Sequence, residues 1–397
     1  MRILVLTDMF PSPAAPYSGV FILELLKRLS GKAELTVVNP RPWFPWLAPR
    51  SGLAQRGAIP SREQRDGIEV FHPRQLAPPR GNRMVLASCT FFFSAWRLVR
   101  RSRRCREIDL IHAHAACPAG FAGVLLGRML CRPVLVTVRG SDLNLYPRYP
   151  VLRQLVRVAL KGADRVVAVS GPLRARAIEL GASEHKVQVI RNGVDLKLFR
   201  PQDREVLQSR LGLKKGRAVI ASIGNLVPVK GISFLLQAMS HLAGDRMPLT
   251  LLIVGDGYLA TDLKAQASEL GLTSRVSFVG PVPHPQIPDY LAAADLLVLP
   301  SLAEGSPNIV REALACGVPV VATAVGDVPE LIDSQELGLL VPPSDPVALA
   351  GAIRAAISRT WDRGRLVAHA RTFSWEETAN AYLEVSERLV RDAAEQG

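Results

Sequence analysis

The chain has 397 residues, 48% of them hydrophobic and 21% charged, which is enough for two domains with sizeable cores and excludes a disordered chain. Its five cysteines, Cys89, Cys105, Cys117, Cys131 and Cys316, are odd in number and never spaced C-x-x-C, so a reduced, cytosolic chain without a zinc site is the simplest reading. The net charge of +14 belongs to one half: residues 1–200 carry 32 Lys and Arg against 13 Asp and Glu, and residues 201–397 carry 17 against 22.

In chain order, Arg2–Thr7 reads directly as a first strand, too quickly interrupted for a signal peptide. A Pro-rich loop from Pro11 to Pro16 leads to Ser18-Gly19, which opens an amphipathic helix from Val20 to Leu29. A glycine at that position either lets a ligand approach the backbone or only turns the chain. Trp43-Phe-Pro-Trp-Leu47 is an aromatic cluster in a loop. Met84 to Val99 is strongly apolar and runs into Arg100-Arg-Ser-Arg-Arg-Cys-Arg106; with Arg97 inside it, the run is short for a transmembrane helix. It is either a core helix with a solvated basic end or an interfacial helix drawn to anionic lipid, at about 1 kcal/mol per basic residue near the surface. Asp109 to His114 predicts a strand with His112 and His114 on one face; no nearby carboxylate or cysteine completes a metal set. After the strand Val134–Val138, Arg139-Gly-Ser-Asp142 leaves Asp142 either to accept a hydrogen bond from an acceptor hydroxyl or to cap the next turn. Strands at Asp164–Val169 and Val187–Ile190 follow, and the Asn192-Gly193 turn, where the charge shifts, marks an interdomain linker.

The second half opens with a strand at Val219–Ile223, then Gly224-Asn-Leu-Val-Pro-Val-Lys230-Gly231. Leu249–Val254 meets Gly255-Asp-Gly257, too short for a G-x-G-x-x-G fingerprint, and an NAD-type dehydrogenase is disfavoured. Val276–Val279 precedes Gly280-Pro-Val282. Leu296–Leu299 and Val318–Ala322 are continuous apolar runs, as in strands buried on both faces. Between them Ser306-Pro307 predicts an N-cap followed by proline at the first helical position, and a helix that Gly317 ends. Glu304 lies in the loop after the strand and Glu312 well inside the helix. A diphosphate on the Asn308 and Ile309 amides would leave Glu312 roughly 6–8 Å further along, at ribose distance, where a carboxylate is the natural acceptor for two hydroxyls. The plainer alternative is that Glu312 pairs with Arg311 or solvent on an exposed helix face and that Glu304 is a loop charge. Residues 342–397 read as helical, with Trp375 and Tyr382 in the core.

The run Glu304-Gly-Ser-Pro-Asn-Ile-Val-Arg-Glu312, followed by Ala-Leu-Ala-Cys-Gly-Val-Pro-Val-Val-Ala-Thr, closely resembles the E-x7-E signature of the family 4 glycosyltransferases, retaining enzymes of the GT-B fold. Asn192-Gly-Val-Asp195 with Phe199-Arg-Pro201 resembles that family's N-G-V-D-x3-F-x-P segment, and Lys230-Gly231 the end of its G-R-L-x3-K-G loop. The resemblance implies an α/β protein of two Rossmann-like parallel-sheet domains facing a cleft: 1–195 on the acceptor side, 196–372 binding the donor, and 373–397 a helix crossing back. It implies that Glu304 touches the donor sugar, that the helix start at Ser306, Asn308 and Ile309 holds the diphosphate, and that Glu312 holds the ribose. By the same resemblance Gly19 faces the diphosphate, His114 approaches the sugar, Lys230 neutralises the leaving phosphate, and Gly255 and the backbone at Val282 complete the donor site. Asn225 stands where the family has arginine and supplies no charge; Arg139, where the family more often has histidine, is expected to replace it in part. Asp142 faces the same site.

These readings lead to a retaining hexosyltransferase that moves a sugar from a nucleotide-sugar, UDP-linked in first place and GDP-linked next, to a hydroxyl of a lipid-linked saccharide in bacterial surface-polysaccharide synthesis. The expected place is the anionic inner face of the cell membrane, bound peripherally. No metal, other cofactor or protein nucleophile is expected. The alternatives are another GT-B enzyme, a sugar-nucleotide epimerase or glycosyl phosphorylase, or a basic protein that binds nucleic acid; without an RNA-binding signature, zinc finger or helix-turn-helix the last is the weakest.

Overall fold

The computed structural model describes residues 1–13, 15–43, 59–76, 83–244 and 247–396. Most of the Trp43–Leu47 aromatic cluster lies outside the described residues. The chain forms two compact units, Met1–Asn192 with Trp375–Gly397, and Gly193–Ser374. The division falls three residues before the boundary expected at 195, and the final helix belongs to the first unit.

The first unit holds β1 (Arg2–Leu6), β2 (Glu34–Val38), β3 (Arg41–Trp43), β4 (Arg62–Arg65), β5 (Ile68–Phe71), β6 (Arg74–Leu76), β7 (Leu110–His114), β8 (Val134–Val138), β9 (Arg165–Ala168) and β10 (Val187–Val189). Its main sheet has the order β10-β9-β8-β7-β1-β2-β5-β4, parallel except where β4 meets β5. The strands are short apolar runs buried along their whole length, such as Val134–Val138, because helices cover both faces. In the helix Val20–Leu29, Ile22, Leu23, Leu25, Leu26 and Leu29 form one buried stripe, and Lys27 and Arg28 complement the dipole in the last turn. The last helix, Trp375–Gln396, packs on that helix through Trp375, Ala379, Tyr382, Val385 and Leu389, spaced three and four residues apart.

The second unit holds β11 (Ala218–Ile223), β12 (Leu249–Val254), β13 (Val276–Gly280), β14 (Leu296–Leu299), β15 (Val320–Thr323) and β16 (Gly338–Val341), all parallel in the order β13-β12-β11-β14-β15-β16. Where the chain enters and leaves this unit, Val194 N–H donates to Phe373 O at 2.8 Å.

Both sheets have a point at which the strand order reverses, between β1 and β7 in one and between β11 and β14 in the other. Consecutive crossovers run to opposite sides there, so the loops after the carboxyl ends splay apart and leave a crevice, the usual ligand site of open α/β sheets. Asp8, at the end of β1, and His114, ending β7, stand at the first such point. Lys230, in the loop after β11, and Glu304, in the loop after β14, stand at the second.

Candidate active site

In the second unit the two loops meet. Lys230 Nζ donates to Glu304 Oε1 at 2.6 Å, and Ser301 Oγ donates to the same oxygen at 2.6 Å. Glu304 is held from behind by Gly326, whose φ of +56° lies in the left-handed region and on which a Cβ would stand 2.1 Å from Glu304 O. Asn225 is exposed on the first loop. That loop lies backbone to backbone on the Gly255–Gly257 turn: a Cβ on Gly255 would be 2.0 Å from Gly224 O, and Leu226 N–H donates to Asp256 O at 2.9 Å.

The helix after β14 runs from Asn308 to Ala315, with Pro307 at its N-cap. This corrects the expectation that Ser306 caps it and Pro307 is the first helical residue. Ser306 Oγ instead donates to Asp327 Oδ2 at 2.6 Å. The competing partner wins because Asp327 is fully buried beside a fully buried Arg311, whose Nη2 donates to Ser306 Oγ at 2.8 Å and to Asp327 Oδ2 at 3.2 Å. The Arg311 guanidinium also lies 5.1 Å over the Phe373 ring. Arg311 therefore joins the helix to the 301–307 loop and to the loop after β15, and the arrangement around Glu304 hangs on it. Sequence reading offered Arg311 only as a partner for Glu312 on an exposed helix face; an arginine within a helix is usually solvated unless a buried carboxylate meets it, and here it is buried against Asp327.

Glu312, the eighth residue after Glu304, is mostly buried, and its Oε1 lies 3.3 Å from His284 Nε2. His284 also stacks edge-on against Phe199, with centroids 5.4 Å apart. It belongs to the loop that carries Val282, so the loop expected at the nucleobase reaches the carboxylate expected at the ribose. Lys230 and Glu304 are thus paired where the loops after β11 and β14 meet, Asn308 and Ile309 open the helix that follows, and Glu312 stands one turn along it. Sequence reading missed His284, which has no motif of its own and is 28 residues from its partner.

In the first unit, His112 and His114 lie side by side at the end of β7, ring centroids 4.2 Å apart. His112 is anchored inward: its Nε2 is 2.8 Å from Thr137 Oγ1, which donates in turn to Tyr382 Oη at 3.3 Å. Burial, with the Arg139 charge second, pushes the His112 imidazole down to about 3. His114 is fully buried and pushed well below the ordinary value by burial first, then by His112 and Arg139. Its Nδ1 lies 2.7 Å from Arg139 Nη2, and Arg139 Nη1 donates to Asn192 Oδ1 at 2.8 Å. The guanidinium lies 4.9 Å over the Phe21 ring.

Asp142 is buried, and its carboxylate accepts backbone N–H groups from Ala116 at 2.8 Å, Gly140 at 2.8 Å and Arg139 at 3.1 Å. It thus ties the loop after β7 to the loop after β8. Gly19 stands at the N-cap of Val20–Leu29 with φ +65°, and a Cβ there would meet Met9 O at 2.2 Å. That contact fixes the loop after β1 beneath the helix start. Asp8 in this loop reaches solvent, yet the surrounding protein pushes its carboxyl up to about 7, with burial the largest cause and the Asp142 charge adding to it. Among the described residues no group of three or more His, Cys, Asp or Glu could hold a metal ion.

Two family descriptions match the chain: Glycosyltransferase Family 4 over residues 18–198 and Glycosyl transferases group 1 over residues 217–359. The Bacillus subtilis protein named for teichuronic acid biosynthesis, the glycosyltransferase TuaC, is 34% identical over 360 residues, 89% of this chain and 88% of that one. D-inositol 3-phosphate glycosyltransferase 1 of Catenulispora acidiphila is 30% identical over 414 residues, 96% of this chain and 94% of that one. Among solved structures, sucrose-phosphate synthase from Thermosynechococcus elongatus has the same fold, with a TM-score of 0.81 at 22% identity over 99% of this chain and 100% of that one. Anabaena HepE in complex with UDP has a TM-score of 0.73 at 24% identity over 98% and 100% of the two chains.

Proposed function

Since the chain belongs to glycosyltransferase family 4 and has the GT-B fold, we propose that it moves a hexose from a UDP-sugar to a hydroxyl of a lipid-linked saccharide, with retained configuration. The observation that carries the reading is the pairing of Lys230 with Glu304 ahead of a helix that opens at Asn308 and carries Glu312 one turn in. Lys230 and Glu304 stand 2.6 Å apart, and along the chain from Glu304 come the helix start at Asn308 and then Glu312. A nucleoside diphosphate sugar has the same order of needs: a sugar rich in hydroxyls, a dianionic diphosphate, and a ribose with two more hydroxyls. The helix start and Lys230 suit the diphosphate, and carboxylates suit hydroxyls and repel phosphate.

In this reading Lys230 exchanges its contact with Glu304 for a contact with the phosphate oxygen on which charge grows as the glycosidic bond breaks. Electrostatic stabilisation of that kind is often the largest catalytic contribution. Glu304, released from the lysine but still bonded to Ser301, takes a sugar hydroxyl. The departing phosphate receives the acceptor's proton, so no metal or protein nucleophile is required, and turnover is expected to survive a chelator. The choice of UDP is supported by the Anabaena HepE structures, described as complexes with UDP and with UDP-glucose.

The acceptor's lipid is supported by the surface of the first unit. Residues 70–163 hold sixteen Lys and Arg and only three acidic residues. Helices Arg83–Arg101, Phe121–Leu130 and Pro150–Gly162 pack against one another there and leave Leu86, Phe93, Met129, Val151 and Val158 exposed among arginines. Apolar side chains set among cations suit an anionic bilayer surface. Among the described residues, no helix is long and apolar enough to cross a membrane.

The first experiment is thermal stabilisation by UDP, GDP, ADP and dTDP, with Glu312→Ala beside the wild type. The expected result is a shift with UDP that the variant loses. No shift with any nucleotide, or a shift indifferent to the variant, overturns the donor site. Product analysis with UDP-sugars then separates transfer from epimerisation or phosphorolysis, and flotation with anionic against zwitterionic vesicles tests the surface.

A further inference from the structure

Arg139 ends β8 with its guanidinium between Asn192 Oδ1 at 2.8 Å and His114 Nδ1 at 2.7 Å. A guanidinium has only donors and stays protonated throughout the range in which proteins fold. The His114 nitrogen that faces it must therefore present a lone pair, and the single proton of the neutral imidazole must sit on Nε2. That second nitrogen is buried and has no hydrogen-bond partner among the described residues. Buried N–H groups in native proteins are almost always paired, so one left open beside a crevice points to an acceptor atom that comes from outside the chain.

We propose that Arg139 is a positioning residue: it fixes His114 as the Nε2–H tautomer, a constant hydrogen-bond donor to a ligand oxygen in the crevice where the first sheet's strand order reverses. His114 then cannot serve as a general base, since Nδ1 is occupied and Nε2 is already protonated. This role differs from neutralising the diphosphate, for which the guanidinium would have to leave both of its partners. Only the identity of the accepting oxygen rests on the glycosyl-transfer reading; the tautomer does not.

Several ionisable groups face His114. His112 lies beside it on β7 and Arg139 comes from the loop after β8; behind these, Tyr382 of the last helix stacks on His112, and Asp142 accepts the Arg139 N–H. Burial first, helped by the cation, keeps both histidines neutral.

The direct test is a long-range ¹⁵N–¹H spectrum of the full chain labelled in histidine, with His114 assigned by substitution. Nδ1 should show the shift of an unprotonated nitrogen and Nε2 that of a protonated one, unchanged from pH 8 to 5.5. The opposite tautomer, or an imidazolium within that range, overturns the proposal even if no glycosyl transfer is found. The kinetic test compares Arg139→Gln, Arg139→Lys and Arg139→Leu. Gln keeps an N–H donor without the charge, so it should retain kcat/KM at pH 8 within about threefold. Leu should lose at least tenfold throughout pH 5.5 to 8, because Nδ1 then has no donor to hold the tautomer while burial still keeps the imidazole neutral. If Lys rescues activity and Gln is no better than Leu, with UDP affinity falling alongside, the guanidinium acts as a charge and the positioning role is wrong.

Discussion

Arg311→Leu is the perturbation whose effect the second unit defines most sharply. The guanidinium and the Asp327 carboxylate are both fully buried, with N and O 3.2 Å apart. At an effective dielectric of about 20, unit charges at that distance attract by about 5 kcal/mol, a gain that the desolvation of both largely cancels. Leucine keeps some of the packing but leaves the carboxylate in the core without the guanidinium charge that faces it, Ser306 still donating to it. A buried charge that has lost its partner typically costs about 3–5 kcal/mol, and the lost contact with Phe373 adds to it. At roughly 2–4 °C per kcal/mol for a unit of this size, the transition of that unit should fall by about 6–20 °C. Replacing both members, Arg311→Leu with Asp327→Leu, removes the stranded charge and should recover most of that loss. Ser306 would still have lost both of its partners, so the loop carrying Glu304 should remain loose and the KM for the UDP-sugar raised. The assay is calorimetric unfolding of the single and double variants, followed by donor KM on the double. A single-variant loss below about 1 kcal/mol would refute the argument that the pair is buried and interdependent; a double variant with wild-type KM would show that the pair does not hold the loop.

Other expectations follow from the same geometry. Lys230→Ala should lower kcat by about a hundredfold to a thousandfold, because it withdraws the cation from the leaving phosphate; a loss under tenfold would mean the charge is supplied elsewhere. Gly326→Ala puts a Cβ 2.1 Å from Glu304 O at a φ of +56°, so it should destabilise the second unit by more than about 1 kcal/mol and raise the donor KM, both readable on purified protein. Stability should also fall on acidification. His112 and His114 stay neutral in the fold while the unfolded imidazoles protonate below about 6.5, each giving a slope of about 1.4 kcal/mol per pH unit. The loss between pH 6 and 5 is then about two histidines' worth, roughly 2–3 kcal/mol; equal urea midpoints at the two pH values would contradict this.

What the sequence by itself determined was whatever has a local cause. Leu296–Leu299 and Val134–Val138 are continuous apolar runs, and both are strands buried along their length. The helix Val20–Leu29 has the bounds read from its spacing, since period, glycine and terminal cations all lie within the segment. The E-x7-E spacing likewise put one carboxylate in a loop and the other in a helix before any fold was known. Tertiary structure alone decided which side chains meet. Lys230 reaches Glu304 across 74 residues because β11 and β14 are neighbours at the reversal of strand order, and His284 reaches Glu312 across 28. Ser306 gave up capping because Asp327, 21 residues away, is brought against it along with Arg311. Arg139 was visible as a departure at its position, yet its partner His114 lies 25 residues back on the adjacent strand. A hydrophobic period constrains the face a residue occupies; the partner it finds on that face is set by which strands pair and where the crossovers run, which no single segment encodes.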